Sequence, residues 1–204
     1  MESCCPLGAE LDKKMNVLYE TDNFFLVPAL GQMGIEGYSL VCSKGHYIGM
    51  GNVPENYEPE LEDVLGRSKN TIAREYDSKV VAFEHGPKLG CHSGGGCLQH
   101  AHIHIVPTPV DIMKFLKGKF DPGKIQEIQG FDKLREISSK GEQSYMFVNT
   151  HEGQMHLIEA DVPLPSQYLR QVIAEGMEIK KWNWKEYMDT ETFERTLNKL
   201  RNKF

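Results

Sequence analysis

The sequence predicts an α+β domain with a C-terminal α/β elaboration, and three observations carry that expectation. Short apolar runs that read as strands alternate with amphipathic stretches that read as helices. Connections between the early runs are short, as antiparallel neighbours allow. Turn signals punctuate the chain without any repeat, low-complexity tract or linker. A chain of 204 residues then fits one domain, with a core over about 12–110 and an elaboration over about 111–204.

Residues 16–29 read as two strands around a Thr21-Asp22-Asn23 turn, and Gly37 to Ser43 as a third that Lys44-Gly45-His46 ends. A helix follows near 58–76, because Leu61, Val64, Leu65, Ile72 and Tyr76 fall on one face with charges opposite. Lys79 to Phe83 is a buried-type strand, Gly86 to Gly96 a glycine-rich loop, and Gln99 to Pro107 the next strand. Residues 110–141 read as helical and irregular, broken at Asp121-Pro122-Gly123. Strands at 143–149 and 154–160 flank a turn, a helix covers about 165–178, Trp182 and Trp184 sit in a turn, and a last helix covers about 190–203.

Composition narrows the function. No apolar run approaches the roughly 18–20 residues that span a bilayer, so no membrane partner is expected. Met1 to Lys14 lacks the basic and apolar blocks of a secretory signal, which makes a cytoplasmic location the expectation. Cys4, Cys5, Cys42, Cys91 and Cys97 are an odd set without a disulfide framework and read as thiols. Their spacing does not supply the paired ligands of a structural zinc, although Cys91, His92 and Cys97 leave that option open. A net charge of −6 without a basic run argues against long nucleic acid, but not against a small phosphorylated ligand.

The chemistry concentrates at His100, His102 and His104. On a strand, alternate residues share a face at a spacing of ~6.5–7 Å, so these imidazoles would form a row able to serve as nucleophile, acid or phosphate donor. Ala101, Ile103 and Ile105 would face the core and hold the row rigid. A metal site competes with this reading, since His-x-His can place two nitrogens on one zinc, with Glu84 and His85 as further ligand and support. Upstream, Ser93, Gly94, Gly95, Gly96 and Cys97 form a loop whose backbone N–H groups suit an anion. His46, beside Lys44, ends an earlier strand and adds another candidate phosphate group.

The run Gln99-His100-Ala101-His102-Ile103-His104-Ile105-Val106 resembles the His-φ-His-φ-His-φ-φ motif of the histidine triad (HIT) superfamily. Phe83-Glu84-His85-Gly86 and the glycine-rich loop resemble a bacterial-type branch of it, and the likeness covers about residues 15–110. It implies a HIT-like antiparallel sheet with flanking helices and a homodimer. It implies a nucleotide hydrolase or transferase with His102 as nucleophile, while His100, His104 and His46 orient it and bind phosphate oxygens. The pattern departs from many members at Gly96, Cys97 and Glu84. A third histidine, where transferase and phosphorylase branches usually carry Gln, tilts the reading toward hydrolysis.

The resulting expectation is a nucleotide phosphate hydrolase of the nucleoside phosphoramidate or dinucleoside polyphosphate type, passing through a covalent nucleotidyl-histidine. A nucleotidyltransferase, a zinc-dependent hydrolase on the same row and a non-catalytic nucleotide binder are the alternatives. The chemical step needs no cofactor, and Mg²⁺ would arrive only with a polyphosphate. Leu18, Phe24, Phe25 and Leu26 are the expected apolar wall for the base, with Glu84 near the nucleoside. Gln167 and Arg170 fit an exposed helix face better than a ligand contact.

Overall fold

The computed structural model describes residues 16–86, 100–141, 143–160 and 164–204. Among them, eight strands form one sheet: β1 (Tyr19–Glu20), β2 (Phe24–Pro28), β3 (Ser39–Ser43), β4 (Val80–Gly86), β5 (His102–Pro107), β6 (Ile125–Ile128), β7 (Ser144–Asn149) and β8 (Met155–Ala160). Their order is β1-β2-β3-β5-β4-β7-β8-β6, and every pairing is antiparallel. Five α-helices accompany it: α1 (Glu58–Tyr76), α2 (Ile112–Lys117), α3 (Asp132–Lys140), α4 (Tyr168–Gly176) and α5 (Thr190–Leu200). The architecture is α+β, and pairing of β4 with β7 carries the sheet without a break into the later part of the chain.

Local sequence explains the elements. The β1–β2 turn closes with the Thr21 N–H on the Phe24 carbonyl at 3.0 Å. Glu60 on α1 ties that turn down, accepting from Asn23 N and Nδ2 at 2.7 and 2.6 Å. Helix α1 carries Pro in its first turn and ends at Asp77 in the left-handed region; α3 ends at Gly141 with φ of 66°. Asp111 and Asp189 cap α2 and α5 by accepting from Lys114 N and Thr192 N.

Helices cover both faces of the sheet. On one face Val41, Ala82, Ile103, Ile105, Phe147 and Leu157 pack against α1, α3 and α5. On the other, Val27, Leu40, Cys42, Phe83, Met146 and Ile158 pack against α2 and α4. Fully burying one such side chain contributes about 1.5–3 kcal/mol, so the pleat is fixed in phase on both sides. Leu61, Val64, Leu65 and Ile72 of α1 are buried as their spacing predicts.

Three expectations change. Strand β6 lies inside the stretch expected to be helical and irregular; its Ile-Gln-Glu-Ile sequence carries little strand signal, and pairing with β8 creates it. The histidine strand begins only at His102, so His100 precedes it. Gln167 and Arg170 do not lie on an exposed face: both are buried, Arg170 to 3% exposure.

Candidate functional site

Strand β5 lies between β3 and β4, with His102 opposite Cys42 and His104 opposite Leu40 and Phe83. His102 and His104 therefore share the α2/α4 face, both half-buried, with ring centroids 5.0 Å apart. Between them in sequence, Ile103 points into the opposite core, as do Ala101 and Ile105. This strand is anchored from beneath and presents imidazoles above. Continuing the β4–β5 register past Phe83 and His104 brings His85 to the same patch, next to His102.

The ring nitrogens have definite partners. His102 Nδ1 lies 3.1 Å from the His100 carbonyl oxygen, and His100 Nδ1 lies 2.8 Å from that of Ser43. A carbonyl only accepts, so both rings carry a proton on Nδ1, and the neutral His102 ring keeps a lone pair on Nε2. His104 Nδ1 lies 2.7 Å from the Tyr38 hydroxyl, and its ring stacks on Phe83 with centroids 4.7 Å apart. The exposed His46 ring lies 4.3 Å from that of His100, centroid to centroid.

Electrostatics keep the row neutral. Burial lowers the pKa of His102 and His100 below the ordinary histidine value, against the opposing effect of their carbonyl bonds. Burial, with His102, Arg170 and His85 nearby, holds His104 well below it. For His85, burial first, then His102 and Arg170, push the value down to about 3. Each ring can then act as a neutral acceptor, nucleophile or N–H donor at ordinary pH.

The expected site residues divide into those the fold gathers and those it separates. His100, His102, His104 and His46 come together in one cluster. Phe25, half-buried opposite Cys42, shares their face, with the Lys44 ammonium 5.0 Å from its ring centre. Leu18, Phe24 and Leu26 instead belong to the core on the opposite face, so the expected apolar wall does not form from them. The period of two that aims Phe25 at the histidines necessarily aims its neighbours away. Glu84 also faces away: it is 2% exposed, accepting from Met50 N at 2.6 Å and Tyr145 Oη at 3.0 Å, and burial raises its pKa to about 7. The expected phosphate loop, Ser93, Gly94, Gly95, Gly96 and Cys97, lies outside the described residues.

Tyr38 was absent from the expected site, His85 entered it only as support for the zinc alternative, and Arg170 was expected on an exposed helix face rather than at a ligand. Tyr38 sits just before β3, and Arg170 comes from α4, so no local spacing links either to the triad. The one available signal for Arg170 was a charge embedded among Leu169, Val172 and Ile173. Among the described residues, no group of three or more His, Cys, Asp or Glu side chains is arranged to hold a metal ion. No helix among them is long and apolar enough to cross a membrane.

No protein-family model matches the chain, and no curated protein matches it. Several solved structures do align with it. A hypothetical histidine triad nucleotide-binding protein from Sulfolobus tokodaii is 21% identical, covering 67% of this chain and 91% of its own, with a TM-score of 0.43. A HIT family protein from Bacillus anthracis is 17% identical over 67% of this chain and 93% of its own, with a TM-score of 0.42. A HIT family member from Bacillus subtilis is 16% identical over the same shares, with a TM-score of 0.41.

Proposed function

We propose that this chain is a nucleotide phosphate hydrolase that attacks phosphorus with His102 Nε2 and passes through a nucleotidyl-histidine. One observation carries the reading: the His102 Nδ1–H is committed to the His100 carbonyl at 3.1 Å, which leaves Nε2 of the neutral ring with a lone pair. A neutral imidazole so oriented is a nucleophile that needs no prior deprotonation.

The Nε2 lone pair forms the N–P bond while the bond from phosphorus to its amine or phosphate leaving group breaks. That group departs with the electron pair and takes a proton from water. The His102 ring becomes cationic, and the His100 carbonyl stabilises its Nδ1–H in that state. Water then forms the new P–O bond and gives its proton to the hydroxide left by the first step, the N–P bond breaks, its electrons return to Nε2, and a nucleoside monophosphate leaves. His104, His100 and His46 are the groups proposed to bind phosphoryl oxygens, and Phe25 is proposed to contact the nucleoside.

The substrates proposed are nucleoside phosphoramidates or dinucleoside polyphosphates. The chemical step is proposed to need no metal, with Mg²⁺ entering only on a polyphosphate, and the chain is proposed to pair as a homodimer. Hydrolysis of adenosine and guanosine phosphoramidates by the wild-type chain and by His102→Gly tests the activity. Turnover by the first and its loss in a folded second support it; equal turnover by both refutes it.

A further inference from the structure

Helix α4 lies far beyond the histidine strand in sequence, yet it packs over the same sheet face. One of its groups ends on an imidazole, and another reaches one through Tyr38. The Leu169 N–H, one of the first-turn donors that a helix leaves without an intrahelical acceptor, donates to His85 Nε2 at 3.1 Å. The next residue, Arg170, donates from Nη1 to Tyr38 Oη at 2.8 Å, and that oxygen stands 2.7 Å from His104 Nδ1.

Arg170 is fixed in this position. Its Nη2 donates to the carbonyls of Gly31 and Trp182 at 2.9 and 2.7 Å, and its guanidinium lies 5.2 Å from the Tyr38 ring centre. The Trp182 turn is itself tied to the start of α4 through Gln167, which donates to Asn183 Oδ1 and accepts from Trp184 N. Buried Arg170 is thus a constructed feature of the helix rather than a solvated charge.

Counting donors then assigns the protons. A guanidinium only donates, so Arg170 occupies a lone pair of Tyr38 Oη. The phenol proton is left for His104 Nδ1. An imidazole that accepts at Nδ1 while neutral carries its proton on Nε2. The opposite holds for His85, which accepts at Nε2 and therefore carries Nδ1–H. Among the described residues, the titratable or charged groups around His104 are Tyr38, His85, His102 and Arg170, and burial together with His102, Arg170 and His85 opposes a second proton on its ring.

We propose that Arg170 and Tyr38 are positioning residues that lock His104 as an Nε2–H donor, so that His104 meets the phosphoryl oxygen with a proton while His102 meets the phosphorus with a lone pair. The catalytic consequence rests on the histidine-attack reading above; the tautomer itself does not. In the other tautomer His104 would turn a lone pair toward an anion, and the row would lose a preorganised donor.

The test is the tautomeric state of the imidazoles in the uniformly ¹⁵N-labelled full-length chain, read from two-bond ¹⁵N–¹H correlations, beside steady-state kinetics. The wild type should show His104 as Nε2–H and His85, His100 and His102 as Nδ1–H. Tyr38→Phe, which keeps the ring in place, should release His104 from the pure Nε2–H form. It should lower kcat by roughly 10–100-fold with KM changed by less than about threefold, a part of the loss that follows removing an oxyanion donor outright. Arg170→Lys, which cannot hold three acceptors in one plane, should shift the tautomer in the same direction. His104 found as Nδ1–H in the wild type overturns the proposal, as does a Tyr38→Phe variant in which either the tautomer or kcat is unchanged. If the wild type turns over no nucleotide, the attack reading fails alone. The tautomer pattern then still decides the lock: intact in the wild type and lost in Tyr38→Phe upholds it, and any other pattern overturns it.

Discussion

His102 Nδ1 stands 3.1 Å from the carbonyl oxygen of His100, two positions upstream on the same chain. The bond is local, so the backbone that enters β5 also orients the ring that the strand presents. A ring held by its own strand keeps its geometry as long as the β3–β5 and β4–β5 ladders hold.

The pH dependence of activity follows from that neutral ring. In the proposed attack His102 must be unprotonated, and burial holds its pKa below the ordinary 6.5. The acid limb of kcat/KM, which reports the free enzyme, should therefore fall below pH 6.5. A pH–rate profile from 4 to 9 checks this; a limb centred above 6.5 contradicts it.

Glu84 governs stability at a distance from the triad. Its folded-state pKa of about 7 exceeds the ordinary 4.5. Between those values the folded chain holds a proton that the unfolded chain has released, so stability falls as pH rises through that window and is level above it, by about 3 kcal/mol in all. Glu84→Gln has no such proton. Its midpoint relative to wild type should be higher at pH 8 than at pH 4.5 by on the order of 5–10 °C. Thermal unfolding of both at the two pH values decides; a difference independent of pH contradicts it.

Two glycines should respond oppositely to alanine. At Gly86 a Cβ would lie 2.0 Å from atoms of the Tyr145 ring, whose hydroxyl is itself fixed by its bonds to Glu84 and the Gly51 N–H. Gly86→Ala should cost about 1–3 kcal/mol. Gly66, on the exposed side of α1, has nothing within 4 Å of that position, and Gly66→Ala should stabilise by about 0.5–1 kcal/mol. Urea unfolding measures both; equal shifts would contradict the packing described.

Removal of metal should leave turnover intact. With a nucleoside phosphoramidate, which carries no polyphosphate to bring Mg²⁺, activity after exhaustive chelation should stay within about twofold of the untreated chain, as expected when a protein nucleophile does the chemistry. Loss of activity that zinc restores would support the metal-dependent reading of the same histidine row instead.

Much of the triad-bearing half was legible because its signals are periodic. Alternation placed His102 and His104 on one face and Ile103 and Ile105 on the other, and the 58–76 pattern gave α1 its bounds. The α2/α4 layer was not legible in the same way. Strand β6 exists because β8 offers it an edge, and Arg170 is buried because Gly31, Tyr38 and Trp182 converge on it. Those are contacts between distant segments, invisible to any local window. The same alternation, applied to residues 24–26, separates Phe25 from Phe24 and Leu26, so the expected wall could not have formed as a block.

The most direct test of the account is a rapid acid- or base-quench of the wild-type chain turning over a nucleoside phosphoramidate, followed by intact-mass and peptide mass spectrometry. A histidine phosphoramidate survives base better than acid, so the alkaline quench is the decisive arm. The account predicts one nucleoside monophosphoryl group on the chain, mapped to the peptide bearing His102 and absent from His102→Gly. Turnover with no adduct at any quench time, or an adduct on another residue that persists in His102→Gly, would contradict it.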